Sequence, residues 1–244
     1  MMKTSNPALR VKRSTVAYGA EGAMTINGAI NKTAFMLLLL LFSASWTWKT
    51  YFNEGLAAVT PWMVIGLVGG LITALVTIFV NKWSPITAPI YALFEGLFLG
   101  GITAVFEQKY SGLAFQAVAL TFGTLFMLLS AYKAGIVRAT DKFKAGIVAA
   151  TGGIFIVYLA SFVLRLFGVQ MPFIYGSGVI GIGFSVVVVV IAALNLVLDF
   201  DFIDTAARER APKYFEWYGG FAIMVTLVWL YIEILNLLAK LRDR

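Results

Sequence analysis

Glu233, Asp199 and Glu95 are acids set inside long apolar runs. Glu233 lies within Val225–Ala239, Asp199 closes an earlier run one helical turn after Asn195, and Glu95 sits in the stretch Tyr91–Gly100. A charged carboxyl left bare among hydrocarbon is costly, so each must be neutral, paired or turned to a watery cavity. Two carboxyls from neighbouring helices that share such a site cannot both ionise cheaply, and a proton is held between them. Asp199 and Glu233 are therefore expected to form a proton-operated latch. Protonated, the two groups bond each other and close the helices. Ionised, they repel and offer oxygens to a hard cation such as Ca²⁺, making them a transient metal site. Asn195 shares Asp199's helix face and can point with it into the bundle. Glu95, beside the small residues Gly96 and Gly100, is expected to be a further interior polar group of the ion pathway.

Other charges near this constellation have plainer readings. Asp201 and Asp204 fit a solvated junction after the sixth apolar run, and Asp204 can equally cap a short surface helix through Thr205-Ala-Ala-Arg208. Lys82 either neutralises a carboxylate or simply flanks its span. Depth also bears on the latch. Counted from Arg208 and Trp217 as interface markers, Asp199 is nine residues deep and Glu233 sixteen. At 1.5 Å per residue the mismatch is about 10 Å, which a longer sixth helix, a tilt, a kink or a bridging water or ion would have to close.

The chain has no His and no Cys. Thiolate nucleophiles, haem attachment, structural zinc, HExxH metalloprotease chemistry and Ser-His dyads are thereby excluded. No cofactor is called for, and an enzyme is not expected. The nearest enzymatic alternative is an aspartyl intramembrane protease, which needs two acids within reach of one shared water. The last span lacks a Gly-x-Gly-Asp, and its acid is glutamate. The net charge of +7 comes from basic residues flanking apolar blocks, so nucleic acid is not an expected partner and anionic lipid headgroups are.

The elements that must position the acids are membrane helices. Of the 244 residues, 60% are hydrophobic and 13% charged, far from the roughly 25% charged of soluble domains. The apolar blocks run to roughly 20 residues, enough to cross about 30 Å of hydrocarbon. Seven spans are predicted: Thr33–Trp48, Pro61–Val80, Ser84–Phe106, Gly112–Tyr132, Ala145–Leu164, Phe173–Leu198 and Trp217–Ala239. Residues 1–32 read as a basic, flexible cytoplasmic tail ahead of a 33–244 transmembrane domain. An all-α bundle in the cell (inner) membrane is expected.

The N-terminal tail and the loops on its side carry 13 Lys and Arg against 6 on the other, which predicts a cytoplasmic N-terminus. Lys240, Arg242 and Arg244 pull the opposite way, leaving two readings of the last segment, of which full crossing is preferred over re-entry. The four-residue spacings Gly66/Gly70, Gly96/Gly100 and Ser177/Gly181/Ser185 predict close helix contacts within the bundle, with a GxxxG-driven dimer as the alternative. The cluster Lys133, Arg138, Lys142 and Lys144 is a basic loop, with headgroup binding the lesser reading.

Val179-Ile-Gly, Leu196-Val-Leu-Asp199, Trp229-Leu-Tyr-Ile-Glu233-Ile-Leu-Asn-Leu-Leu and Ala92-Leu-Phe-Glu95-Gly-Leu-Phe-Leu-Gly stand in the order of a known set of motifs. The chain resembles the Bax-inhibitor family, also called the transmembrane BAX inhibitor motif family, over roughly residues 33–240. The resemblance implies a seven-helix bundle with a central last helix. It also implies a Ca²⁺ leak controlled by a pH-sensitive acid pair between the last two helices, here Asp199 and Glu233. Glu233 departs from the family's usual aspartate by one methylene, and the link between the two spans looks longer. A secondary transporter, or a regulator that binds other membrane proteins without conducting, is the alternative function.

Overall fold

A computed structural model describes residues 22–168, 174 and 176–243. Seven long helices follow one another: α1 (Ile26–Glu54), α2 (Leu56–Phe79), α3 (Ser84–Lys109), α4 (Leu113–Lys133), α5 (Asp141–Leu166), α6 (Val179–Arg208) and α7 (Phe215–Arg242), with one 3₁₀ turn at Asn81–Trp83. All seven are long and apolar enough to cross a membrane. This all-α bundle agrees with the expected fold class.

The helix ends follow local chemistry. Thr25 caps α1, its hydroxyl accepting from the Gly28 N–H at 2.9 Å. That cap starts the helix at Ile26 instead of Thr33, so residues 26–32 are helical and continuous with α1. Residues 1–21 lie outside the described part. Pro61 falls in the second turn of α2, later than the first-turn position expected for it. At its other end α6 corrects the expected Phe173–Leu198 span, running from Val179 unbroken through Arg208. Asp204 therefore caps no separate helix.

The last helix is the hub. More of α7 is buried than of any other span, and α1, α3, α4 and α6 pack around it, while α2 lies against α3 and α5 against α6. Close approach elsewhere depends on absent side chains. A Cβ on Gly96 would stand 2.0 Å from Ser43 Oγ and 2.2 Å from the Leu40 carbonyl oxygen, and one on Gly100 would stand 2.2 Å from the Ala44 carbonyl oxygen. The facing hydroxyls of Ser43 and Thr47 fold back onto their own helix backbone. Polar groups are thus satisfied locally while α1 and α3 touch, as small-residue interfaces in lipid require. Gly66 and Gly70 do the same for α2 against α3. These spacings serve packing within the chain.

Two end ties complete the frame. At the N-terminal end, Met24 N–H donates to the Ala211 carbonyl (2.8 Å) and Lys213 N–H to that of Gly22 (3.0 Å), stitching the segment before α1 to the α6–α7 link. At the opposite end Asp243 receives the Tyr110 hydroxyl and the Lys109 ammonium, the latter at 3.2 Å. The Tyr110 hydrogen bond first, and then Lys109, hold the Asp243 carboxyl below its ordinary range. A lowered carboxylate stabilises the fold above its unfolded value of about 3.9 and loses that contribution as pH falls through the folded one. Asp243→Asn should melt slightly below the native protein at neutral pH, the difference shrinking as pH falls below the unfolded value of about 3.9 and through the lowered folded one. Melting curves across that range check it.

Candidate functional site

Asp199 faces α7 from nine residues before the end of α6, and its neighbour there is the Thr226 hydroxyl, eleven residues after the start of α7. Those counts put the two at similar depth, and the rotation of the two helices turns them towards each other. The Oδ2 atom of Asp199 is sealed from solvent and has no hydrogen-bond partner among the described residues. Every other buried side-chain polar atom there is satisfied. An unmet carboxylate oxygen in low dielectric is costly, which makes Asp199 the conspicuous exception in this core.

Glu233 lies seven residues beyond Thr226, about 10 Å further along α7. It is 4% exposed. Its two carboxyl oxygens accept from the Tyr158 hydroxyl of α5 at 2.9 and 3.0 Å, and Oε1 also accepts from Trp229 Nε1 at 3.2 Å. The expected latch is therefore corrected. Glu233 and the Oδ2 atom of Asp199 are both shielded from solvent, yet the two acids hold separate partners two helical turns apart. The longer sixth helix does not help, because it extends past Asp199 and leaves the depth difference in place. No group of three or more acidic side chains that could hold a metal ion occurs among the described residues.

The other anticipated residues disperse. Asn195 turns towards α5, donating to Thr151 Oγ1 at 2.9 Å and to its own helix at Ile191 O, so it does not join Asp199. Glu95 is half-buried at the α2–α3 contact, bonded to Tyr91 one turn earlier and aimed at Gly70. It too stands apart from Asp199. Asp201 pairs with Lys144 of α5 at 2.5 Å, and Asp204 pairs with Arg208 within α6. Lys82 is exposed on the 3₁₀ turn and makes no ion pair among the described residues.

Several participants are not apparent from the chain alone. Tyr158 and Thr226 are ordinary-looking polar residues within spans, and only their positions opposite acids single them out. Lys240, taken for a flanking charge, folds inward: its ammonium donates to Ile174 O at 2.5 Å, Ser185 Oγ at 2.8 Å and Gly181 O at 3.3 Å. It thus ties the end of α7 to the start of α6, two turns past Glu233. Arg242 likewise donates to Ser111 O at 3.0 Å. These bonds explain how basic residues that oppose the charge bias are accommodated at this end.

Comparison with known proteins gives one match. Residues 6–243 fit the model of the family described as Bax inhibitor 1 like. No curated protein matches, and no solved structure matches.

Proposed function

The chain belongs to the Bax inhibitor 1 like family, and from that premise we propose that this integral membrane protein is a passive, proton-controlled leak for a hard cation, Ca²⁺. The observation that carries the proposal is the buried Asp199 oxygen that meets no donor among the described residues. A carboxyl in that position gains from binding a proton or a cation and loses by having neither. Neutral Asp199, bonded to Thr226, holds α6 against α7. Ionised, it becomes an oxygen ligand facing the core.

Glu233 is a second station further along α7, restrained by Tyr158 and under the influence of Lys240. The pathway is thus read as two acids in succession, each supplying one carboxylate and relying on hydroxyls, backbone carbonyls and water for the remaining ligands. The excess of Lys and Arg on one side supports a cytoplasmic N-terminus in the cell membrane.

Liposomes loaded with a Ca²⁺ dye test this reading. Native flux should fall on acidification. Asp199→Asn, permanently neutral, should pass Ca²⁺ about tenfold or more slowly at neutral pH and lose the pH response, since a charge-assisted contact is worth about 1.5–3 kcal/mol. Equal flux at every pH for the native protein and an Asp199→Asn/Glu233→Gln variant would sink the proposal.

A further inference from the structure

Helices α1 and α4 both pack on α7 but scarcely on each other, and a crevice divides them. Two cavities of about 740 and 460 Å³ make it up, and they meet at Leu37 and Phe122, which line both. The larger runs along α1 from Ile26 to Leu37. Eleven residues of helix rise about 16 Å, roughly half the 30 Å hydrocarbon thickness, so this part matches one leaflet. Its walls there are mostly apolar, lined by Ile30 and Leu37 of α1 and by Leu125 and Leu129 of α4.

The mouth of the larger cavity is cationic. Asp201 and Asp204 line it, but each is already matched, by Lys144 and Arg208. Lys133 and Arg138 line it too, and both are exposed with no carboxylate partner among the described residues. Among the described residues Arg138 uses only Nε, donating to Gly135 O at 3.2 Å, which leaves the rest of its guanidinium fork for an anion. Two unmatched cations at headgroup level above an apolar slot one leaflet deep are complementary to a phosphate ester carrying an acyl chain.

We propose that the α1–α4 crevice binds one anionic phospholipid, its acyl chain lying between Ile30 and Leu129 and its phosphate against Lys133 and Arg138. Charge decides among occupants. A zwitterionic lipid such as phosphatidylcholine brings its own cation beside the phosphate, so two unmatched side-chain cations favour a headgroup with net negative charge. The segment 1–21 carries Lys3, Arg10, Lys12 and Arg13 and has the same sign as the mouth. The site stands apart from Asp199 and Glu233, so it does not depend on the ion-leak reading.

Native mass spectrometry of the full chain, released from micelles holding equal amounts of phosphatidylglycerol and phosphatidylcholine, tests it. The native protein should retain one phosphatidylglycerol in preference to phosphatidylcholine. Lys133→Gln with Arg138→Gln should cut that retention by about tenfold or more and leave phosphatidylcholine unchanged, as removal of two headgroup contacts implies. Ile30→Trp, which fills the slot, should reduce both lipids; should it fail to fold, the exposed double variant still decides. Equal retention of the two lipids by the native protein overturns the proposal. So does phosphatidylglycerol retention that the double variant does not change. Loss of bound lipid on adding millimolar inorganic phosphate would likewise overturn it, by making free phosphate the ligand.

Discussion

Gly100→Ala should lower the unfolding free energy by about 2 kcal/mol, a net loss despite alanine's better helix propensity. Propensity alone favours alanine by roughly 0.5–1 kcal/mol. Against that, the new methyl would stand 2.2 Å from the Ala44 carbonyl oxygen and 2.6 Å from its Cα. Both are backbone atoms, so no side-chain rotation relieves the clash and α1 must move away from α3. Overpacking of this kind costs about 1–3 kcal/mol, and in lipid no hydrophobic gain offsets the lost helix contact. Gly96→Ala meets the Leu40 carbonyl at 2.2 Å and should behave alike. Gly123→Ala supplies the control, since nothing lies within 4 Å of its Cβ position. Thermal unfolding in detergent should rank Gly123→Ala at or above the native protein and the other two well below it. A Gly100→Ala protein as stable as the control would show that the α1–α3 contact is not tight.

Glu216→Ala should cost about 3 kcal/mol, although the residue belongs to no ion pathway. The residue is 1% exposed and sits where three elements meet. It accepts from Thr25 N–H at 3.0 Å and Thr25 Oγ1 at 2.9 Å, and pairs with Lys213 at 2.8 Å. Hydrogen bonds to a charged group are worth about 1.5–3 kcal/mol each, and a negative charge in the first turn of α7 adds about 0.3–1 kcal/mol. Thr25 is itself the cap of α1, so the loss spreads to that helix. Gly28 makes the argument sharper. A Cβ there would lie 2.0 Å from Glu216 Oε1, so Gly28→Ala expels the carboxylate from its seat. The two substitutions should therefore couple strongly: once Glu216 is alanine, Gly28→Ala should cost little more. Additive losses in a double-mutant cycle of unfolding free energies would refute this geometry.

Much of the architecture is legible in the chain because lipid imposes it. Apolar blocks of bilayer length must be helices when no water is present to satisfy the backbone, and their number and order follow directly. The centrality of α7 also agrees with the expectation carried by the motif resemblance. Boundaries were less visible. The cap at Thr25 and the extension of α6 to Arg208 lie in polar stretches where hydropathy is silent and hydrogen bonds decide.

For the acids, the surrounding apolar runs pointed to shielding from solvent: Glu233 is buried and Asp199 has a sealed carboxylate oxygen, while Glu95 is half-buried. Which groups answer them was decided only by tertiary structure. Helix length sets Asp199 level with Thr226, rotation about α7 turns Glu233 to Tyr158, and the two acids end two turns apart. Asn195 shares a face with Asp199 by periodicity, yet its amide bonds to Thr151 because α5 covers that side of α6. Burial is written in a residue's neighbours along the chain; partnership depends on depth and rotation between helices, which one-dimensional order does not contain.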